Sequence, residues 1–225
     1  NIKDFKGVDI DYLQEKIKLF NPNHSEKFEF PKPHGGGTAY MNTIDKDGLG
    51  VSLIQSNFHG IGSRIGVGSF GFFLHNRGCG FNLDSKHPNY LTPGRKPLHT
   101  LSPTIWSKNG NLEFIAGTRG GRYQPQLLIQ TILPYIQKSD SFEEIIKEPR
   151  WVIENFSSDT ISKLRFEKIN NEDLEILLKK GHEVEVENKL NKAYGPISII
   201  YKKHDGNFEG VCDVRVGTEK VFNSF

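Results

Sequence analysis

Thr38-Ala39-Tyr40-Met41-Asn42-Thr43-Ile44-Asp45-Lys46-Asp47-Gly48-Leu49-Gly50-Val51-Ser52-Leu53-Ile54-Gln55-Ser56 is the stretch that decides the fold. Two extended runs, Thr38 to Ile44 and Gly50 to Ser56, flank Asp45-Lys46-Asp47-Gly48. Asp-Gly chemistry between two such runs predicts a β-hairpin. Upstream, Pro31, Pro33 and Gly35-Gly36-Gly37 read as an extended linker. Before it, Ile10, Leu13, Ile17 and Phe20 recur at spacings of three and four, which predicts a helix over Gly7 to Phe20.

Downstream of the hairpin, glycines alternate with apolar residues, and a strand is expected through Gly71-Phe72-Phe73-Leu74-His75. Asn82 to Pro97 is polar and proline-bearing, hence a loop. Thr104-Ile105-Trp106 and Leu112 to Gly117, joined around Lys108-Asn109-Gly110, predict a second hairpin. A core helix through Gln126 to Leu133 follows, kinked by Pro134. A short Ser141-capped helix comes next, then one over Asp173 to Lys180 that Gly181 closes. Glu183 to Glu187, Ser198 to Tyr201 and Val211 to Arg215 read as strands. Hairpins, then helices, then strands suit an α+β layered fold better than a regularly alternating α/β sheet.

Composition narrows the function. Lys plus Arg is 29 and Asp plus Glu 27 in 225 residues, a net charge of +2, which argues against a nucleic-acid binder. No apolar run reaches the roughly 18 residues of a membrane span. Cys79 and Cys212 are too few for a disulfide scaffold or a cysteine zinc cluster, although the two could pair. The eight histidines include no His-x-x-x-His or His-Glu-x-x-His pair, and no Gly-x-Ser-x-Gly elbow occurs.

Thr38 has two readings. It is a β-branched residue at a strand start, a common place for threonine. It also ends a glycine linker at a rigid strand edge, as an autoprocessing site requires. Its hydroxyl would attack the Gly37 carbonyl and leave Thr38 as a new N-terminus. Its α-amine, with a pKa of about 7.7–8.0, would then serve as base for its own hydroxyl. Gly117-Thr118-Arg119-Gly120-Gly121-Arg122 is open to three readings. It lacks the spacing of a phosphate loop, it fits a tight strand-to-helix turn, and it fits an oxyanion hole. Pro93 to Thr104 is a proline-held loop, or a polar wall offering His99, Thr100 and Ser102 to a ligand.

Four segments in this order resemble the small subunit of γ-glutamyltranspeptidases. They are Thr38 to Ser52, Pro93-Gly94-Arg95-Lys96-Pro97-Leu98-His99-Thr100-Leu101-Ser102-Pro103-Thr104, Gly117 to Gly121, and Glu148-Pro149-Arg150-Trp151. Gln55-Ser56-Asn57, Asn76-Arg77-Gly78 and Gly120-Gly121-x-x-Gln124-Pro125-Gln126 are similar to the family's acylase-like branch. The resemblance implies an N-terminal nucleophile hydrolase with a four-layer αββα sandwich, of which this chain holds part. Residues 1–37 correspond to the end of a large subunit and its linker, and residues 38–225 to the catalytic small subunit.

It further implies cleavage between Gly37 and Thr38, with Thr38 as nucleophile, Ser56 as its support, and Gly120 and Gly121 as the oxyanion turn. His99 and Thr100 stand at the family's paired serines, and the family's γ-glutamyl asparagine, near Phe58, is lost unless Asn57 replaces it by a one-residue shift. No metal or organic cofactor is implied. The partners are a small-molecule amide or γ-glutamyl substrate and a large-subunit segment, not nucleic acid or membrane. The family's amino-group carboxylate would fall near Gly80, where there is none, while Arg77 favours an anionic acyl group. The expected function is therefore a γ-glutamyltranspeptidase-like amidase or acyltransferase acting on a γ-glutamyl or other N-acyl amide, such as a β-lactam side chain. The competing expectation is an unprocessed, non-catalytic homologue that binds or scaffolds.

Overall fold

A computed structural model describes residues 37–137, 140–154, 163–217 and 221. The helix expected over Gly7 to Phe20, and the linker ahead of Gly37, lie outside the described residues. The first hairpin forms where the alternation placed it, from β1 (Thr38–Ile44) and β2 (Gly50–Ser56), in antiparallel register with Thr38 opposite Ser56 and Ile44 opposite Gly50. The Asp45 carboxylate closes the turn by accepting N–H bonds from Asp47 and Leu49, both at 2.9 Å. That local bonding is why Asp suits the position.

The second hairpin is β3 (Thr104–Lys108) and β4 (Asn111–Thr118). It joins β8 (Ile197–Lys202) and β9 (Phe208–Cys212) in a four-stranded antiparallel sheet of order β3-β4-β8-β9. Strand periodicity sorts β4 onto two faces. Gly117 meets the first hairpin, and a Cβ there would come within 2.1 Å of the Tyr40 ring. Phe114 and Ala116 point the other way, into the buried core with Leu127, Leu128, Ile132, Phe142, Ile146, Val152, Tyr194, Ile197 and Ile199.

That core is covered by α1 (Gln124–Ile136) and α2 (Phe142–Ile145). Phe142 stacks on Tyr135 at 3.8 Å between centroids and meets Phe114 and Tyr201 edge-on. Pro134 lies within α1, two residues before its end. Ser141 caps α2 as expected, its hydroxyl accepting from the Glu144 N–H at 3.4 Å. Hairpin, four-stranded sheet and helices thus stack as successive layers, a part of the αββα sandwich.

A third sheet combines β5 (Trp151–Glu154), β6 (Lys163–Phe166) and β7 (Glu183–Val186), with β6 and β7 parallel. α3 (Asn171–Lys179) makes the crossover between them, capped by the Asn170 side chain on the Asp173 N–H at 2.8 Å. Glutamine side chains clip β5 to α1. Gln130 accepts from the Trp151 N–H at 3.1 Å and donates to its carbonyl at 2.9 Å. Gln126 accepts from the Ile153 N–H at 2.8 Å and reaches its carbonyl at 3.4 Å.

Two expectations need correction. No strand forms over Gly71–His75. Only an isolated Gly66–Phe73 bridge occurs there, because left-handed backbone at Arg64, Gly68 and Gly71 breaks the pleat on both sides. The final strand ends at Cys212, and Asp213 to Arg215 turn inward to bury their charges. Cys79 and Cys212 are not joined to each other.

Candidate active site

The hairpin ends where the chemistry begins. Thr38 opens β1 and Ser56 ends β2, and their pairing brings the Thr38 hydroxyl to donate to Ser56 Oγ at 2.7 Å. Ser56 Oγ also accepts the Phe58 N–H at 3.0 Å, so its oxygen is fixed from two sides. Phe58 adopts a left-handed backbone (φ 75°), an uncommon conformation for a bulky residue. Such strain gathers at functional sites.

Gly37 is held as tightly. Its carbonyl accepts the Asn57 N–H at 3.0 Å, and a Cβ on Gly37 would stand 2.0 Å from the Gly60 carbonyl oxygen. The peptide ahead of Thr38 therefore has a polarised carbonyl and no room for a side chain.

Thr38 and Ser56 line a cleft of about 1080 Å³ together with Phe58, His59, Thr100, Arg119, Gly120, Gly121, Arg122, Tyr123, Glu154, Asn191, Lys192 and Ala193. Gly120 (φ 129°, ψ 14°) lets the chain swing from β4 into a short 3-10 turn at Gly121–Tyr123, which runs on into α1. The first N–H groups of a helix have no intrahelical acceptor, and they sit at the positive end of its dipole. Donors so placed suit a developing oxyanion. The Thr118 hydroxyl pins this turn to the neighbouring segment by donating to the Pro196 carbonyl at 2.8 Å. Gln124 ties in the Thr100 loop by accepting the Ser102 N–H at 3.0 Å.

Of the expected site residues, Thr38, Ser56, Thr100, Gly120 and Gly121 meet at the cleft. Asn57, Arg77 and His99 are not among its lining residues. His99 is exposed. Asn57 works through its backbone, which links the Gly37 carbonyl to the Asn76 N–H.

Arg77 lies directly behind the lining and is buried, only 6% exposed. Its guanidinium carbon sits 5.1 Å from the Phe58 ring centre, and Nη1 approaches the Thr100 hydroxyl at 3.5 Å. Among the described residues, its buried Nη2 has no hydrogen-bond partner. Burial pushes its pKa down. The Asn76 side chain holds the loop around it, accepting from the His59 N–H at 2.9 Å and donating to the Gly62 carbonyl at 3.1 Å.

Glu154, Asn191, Lys192 and Ala193 were not expected at the site, since a four-residue strand and a loop give no motif to find them by. Glu154 accepts from Arg165 Nη1 at 2.8 Å and from the Tyr123 hydroxyl at 3.0 Å. Burial, with that hydrogen bond to Glu154, pushes the Tyr123 phenol up to about 12. Among the described residues, no three His, Cys, Asp or Glu gather where a metal ion could be held.

The sequence profile of the gamma-glutamyltranspeptidase family matches residues 6–222. The chain belongs to this family. Among curated relatives, the glutathione hydrolase-like YwrD proenzyme of Bacillus subtilis is 35% identical over 185 residues, covering 82% of this chain and 35% of its own length. The oxamate amidohydrolase proenzyme of Klebsiella pneumoniae is 33% identical over 189 residues, covering 81% and 36%. The chain thus spans about a third of these relatives.

Among solved structures, cephalosporin acylase from Bacillus halodurans is similar with a TM-score of 0.68 and 29% identity, covering 92% of this chain and 37% of that one. A chain of the gamma-glutamyltranspeptidase from Pseudomonas nitroreducens has a TM-score of 0.68 at 20% identity. In that pair 82% of this chain covers 99% of the other. The family fold is the N-terminal nucleophile hydrolase sandwich, of which the described layers are a part.

Proposed function

We propose that this chain carries the catalytic region of an amide-cleaving acyl-transfer enzyme that matures by autoproteolysis between Gly37 and Thr38. Residues 1–37 then correspond to the end of a large-subunit-like region and its linker, and residues 38–225 to the small-subunit-like catalytic region. In maturation the Thr38 hydroxyl adds to the Gly37 carbonyl, whose oxygen the Asn57 N–H polarises. The peptide nitrogen leaves as the Thr38 amine, and water hydrolyses the resulting ester to free the Gly37 carboxylate.

In turnover the free amine takes the proton from the Thr38 hydroxyl. The alkoxide attacks the substrate amide, and N–H groups at Gly120 and Gly121 stabilise the oxyanion. The protonated amine of the substrate departs, and water or an acceptor amine releases the acyl group. Ser56 keeps the Thr38 hydroxyl oriented, and Thr100 stands at the acyl side. Arg77, buried with an unpartnered Nη2 behind Thr100, supports an acyl group that carries a carboxylate. The names of the relatives, a glutathione hydrolase-like and an oxamate amidohydrolase proenzyme, fit acyl groups of that kind.

The observation that carries the proposal is the 2.7 Å contact of Thr38 with Ser56 at the mouth of a cleft shared with Gly120 and Gly121. Intact-mass analysis and N-terminal sequencing of the purified full-length protein test it. A fragment beginning at Thr38, in a sample that releases amine from N-acyl amides such as γ-glutamyl or succinyl anilides, is the expected result. One uncut chain that stays inert on prolonged incubation would overturn it in favour of a non-catalytic binding or scaffold protein.

A further inference from the structure

The loop after Ser56 does not follow any regular backbone path. It is left-handed at Phe58 (φ 75°), Gly60 (φ 55°) and Gly62 (φ 85°). Such conformations persist only where the surroundings over-determine them, above all at a bulky residue such as Phe58. Yet this loop presses on the scissile peptide, since a Cβ on Gly37 would stand 2.0 Å from the Gly60 carbonyl oxygen. Asn76 holds it in place. Its backbone N–H donates to the Asn57 carbonyl at 3.1 Å. Its carboxamide accepts the His59 N–H at 2.9 Å, and donates to the His59 carbonyl at 3.2 Å and the Gly62 carbonyl at 3.1 Å. One acceptor and two donors are a set that no other side chain of this length offers.

Local energetics do not explain this use of the side chain. Asn76 stands at the N-cap of the 3-10 turn Arg77–Gly80, where an asparagine ordinarily bonds the N–H groups of its own turn. It makes no such bond and reaches 17 residues back to His59 instead. A residue that gives up its local role without local compensation is expected at functional sites. The clamped loop meets the reacting groups twice. The Asn57 N–H donates to the Gly37 carbonyl at 3.0 Å. The Phe58 N–H donates at 3.0 Å to Ser56 Oγ, which accepts the Thr38 hydroxyl at 2.7 Å. The Asn57 carbonyl and the Phe58 N–H belong to one planar peptide. The Asn76 bond to that carbonyl therefore also fixes where the Phe58 N–H points.

We infer that Asn76 is a positioning residue for self-cleavage: by clamping the Asn57–Gly62 loop it sets the N–H groups that hold the Gly37 carbonyl and the Ser56 hydroxyl. This inference rests on the amidase reading above and deepens it. Cleavage turns the Gly37 carbonyl into a departing carboxylate, so the Asn57 contact serves maturation alone. The Phe58 contact with Ser56 serves both maturation and turnover. Maturation therefore depends on Asn76 more than turnover does.

The test follows the Thr38 terminus of the full-length protein by timed intact-mass analysis. Asn76→Leu keeps the size of the side chain and removes its three bonds, whereas Asn76→Asp keeps the acceptor. Asn76→Leu should slow the appearance of the terminus by about 10- to 100-fold, and Asn76→Asp by less. On chains already cut, kcat per Thr38 terminus should fall by a smaller factor than the processing rate. Ser141→Ala, which removes the α2 cap, should lower the unfolding midpoint and leave processing at the wild-type rate. Wild-type processing in Asn76→Leu, equal losses in processing and kcat, or equal slowing by Ser141→Ala overturns the inference and leaves the amidase standing. One uncut wild-type chain instead defeats the amidase reading. Hydrogen exchange on the Thr38→Ala chain, with and without Asn76→Leu, then judges the clamp by itself. Faster exchange over residues 57–62, with β4 and β8 unchanged, is expected, and equal exchange over 57–62 overturns the clamp.

Discussion

Arginines serve two opposite purposes in this molecule. Beneath the core, Arg150 and Arg215 are buried among acids. Arg150 Nη1 meets Asp213 at 2.6 Å and the Gly195 carbonyl at 2.7 Å, while Arg215 contacts both Asp213 and Glu167. Glu167 also accepts the backbone N–H groups of Arg150 and Asn191, each at 2.7 Å. Burial opposes the Arg215 charge, but hydrogen bonding and attraction from Glu167 and Asp213 outweigh it and raise its pKa. At the cleft, Arg77 is as hidden but has no acid beside it among the described residues, and burial moves its pKa downward. A buried ion pair is costly to break but adds little over an apolar replacement, whereas a buried lone cation is a standing cost that only a ligand can repay. The difference lies in the acids: Asp213 and Glu167 hold Arg150 and Arg215 within the fold, whereas Arg77 has no acid beside it among the described residues, as the acyl-carboxylate role proposed for it requires.

The largest effect should come from Thr38, the proposed nucleophile. Thr38→Ala should leave the chain uncut on a denaturing gel and lower amide cleavage by on the order of 10⁴-fold or more. Thr38→Ser should retain part of both, because the hydroxyl remains.

The comparison itself is tested next. Glu167→Ala leaves Arg215 with Asp213 as its acid and strands two backbone donors, at about 3–5 kcal/mol, and should lower the unfolding midpoint by on the order of 10 °C in calorimetry. Arg77→Met should hold or raise that midpoint while increasing KM for carboxylate-bearing acyl amides by roughly 10- to 100-fold. Equal destabilisation by the two changes would erase the distinction.

Gly37→Ala should slow the appearance of the Thr38 terminus by about tenfold in timed intact-mass analysis, since its methyl meets the Gly60 carbonyl oxygen at 2.0 Å. The smallest effect concerns acid. Hydrogen bonding from Arg165 holds the Glu154 carboxyl below its ordinary value, against the opposing effect of burial. Its stabilisation is complete above the unfolded pKa of about 4.3 and is lost as pH falls through the lower folded value. Thermal melts across that range should show a shallower acid decline in Glu154→Gln than in wild type.

Sequence legibility followed the range of the interactions. The hairpin of β1 and β2 was visible because alternation and the Asp45 turn are local, and the Ser141 cap for the same reason. The phenylalanines of Gly71–His75 misled, since β-propensity says nothing about whether a partner strand exists. Of the three four-residue strands, β7 was visible through the Val184–Val186 alternation, whereas β5 and β6 were not read as strands. At the cleft, Thr38, Thr100 and Gly120 were readable from motifs. Glu154 and Lys192 arrive through sheet topology, which no short segment encodes. Gln126 and Gln130 stood in plain sight, but their use as backbone clips could not be seen without β5.

Those clips have a mechanical consequence. Glutamines four apart on a helix stand about 6 Å apart along its axis, and residues two apart on a strand about 6.6 Å. The two spacings nearly coincide, so α1 engages Trp151 and Ile153 like a key with two teeth. A slide of one residue would disengage both teeth together, and intermediate positions have nothing to hold them. The proposed oxyanion turn at Gly120–Gly121, just ahead of this helix, thus takes its register from a joint that is either seated or released.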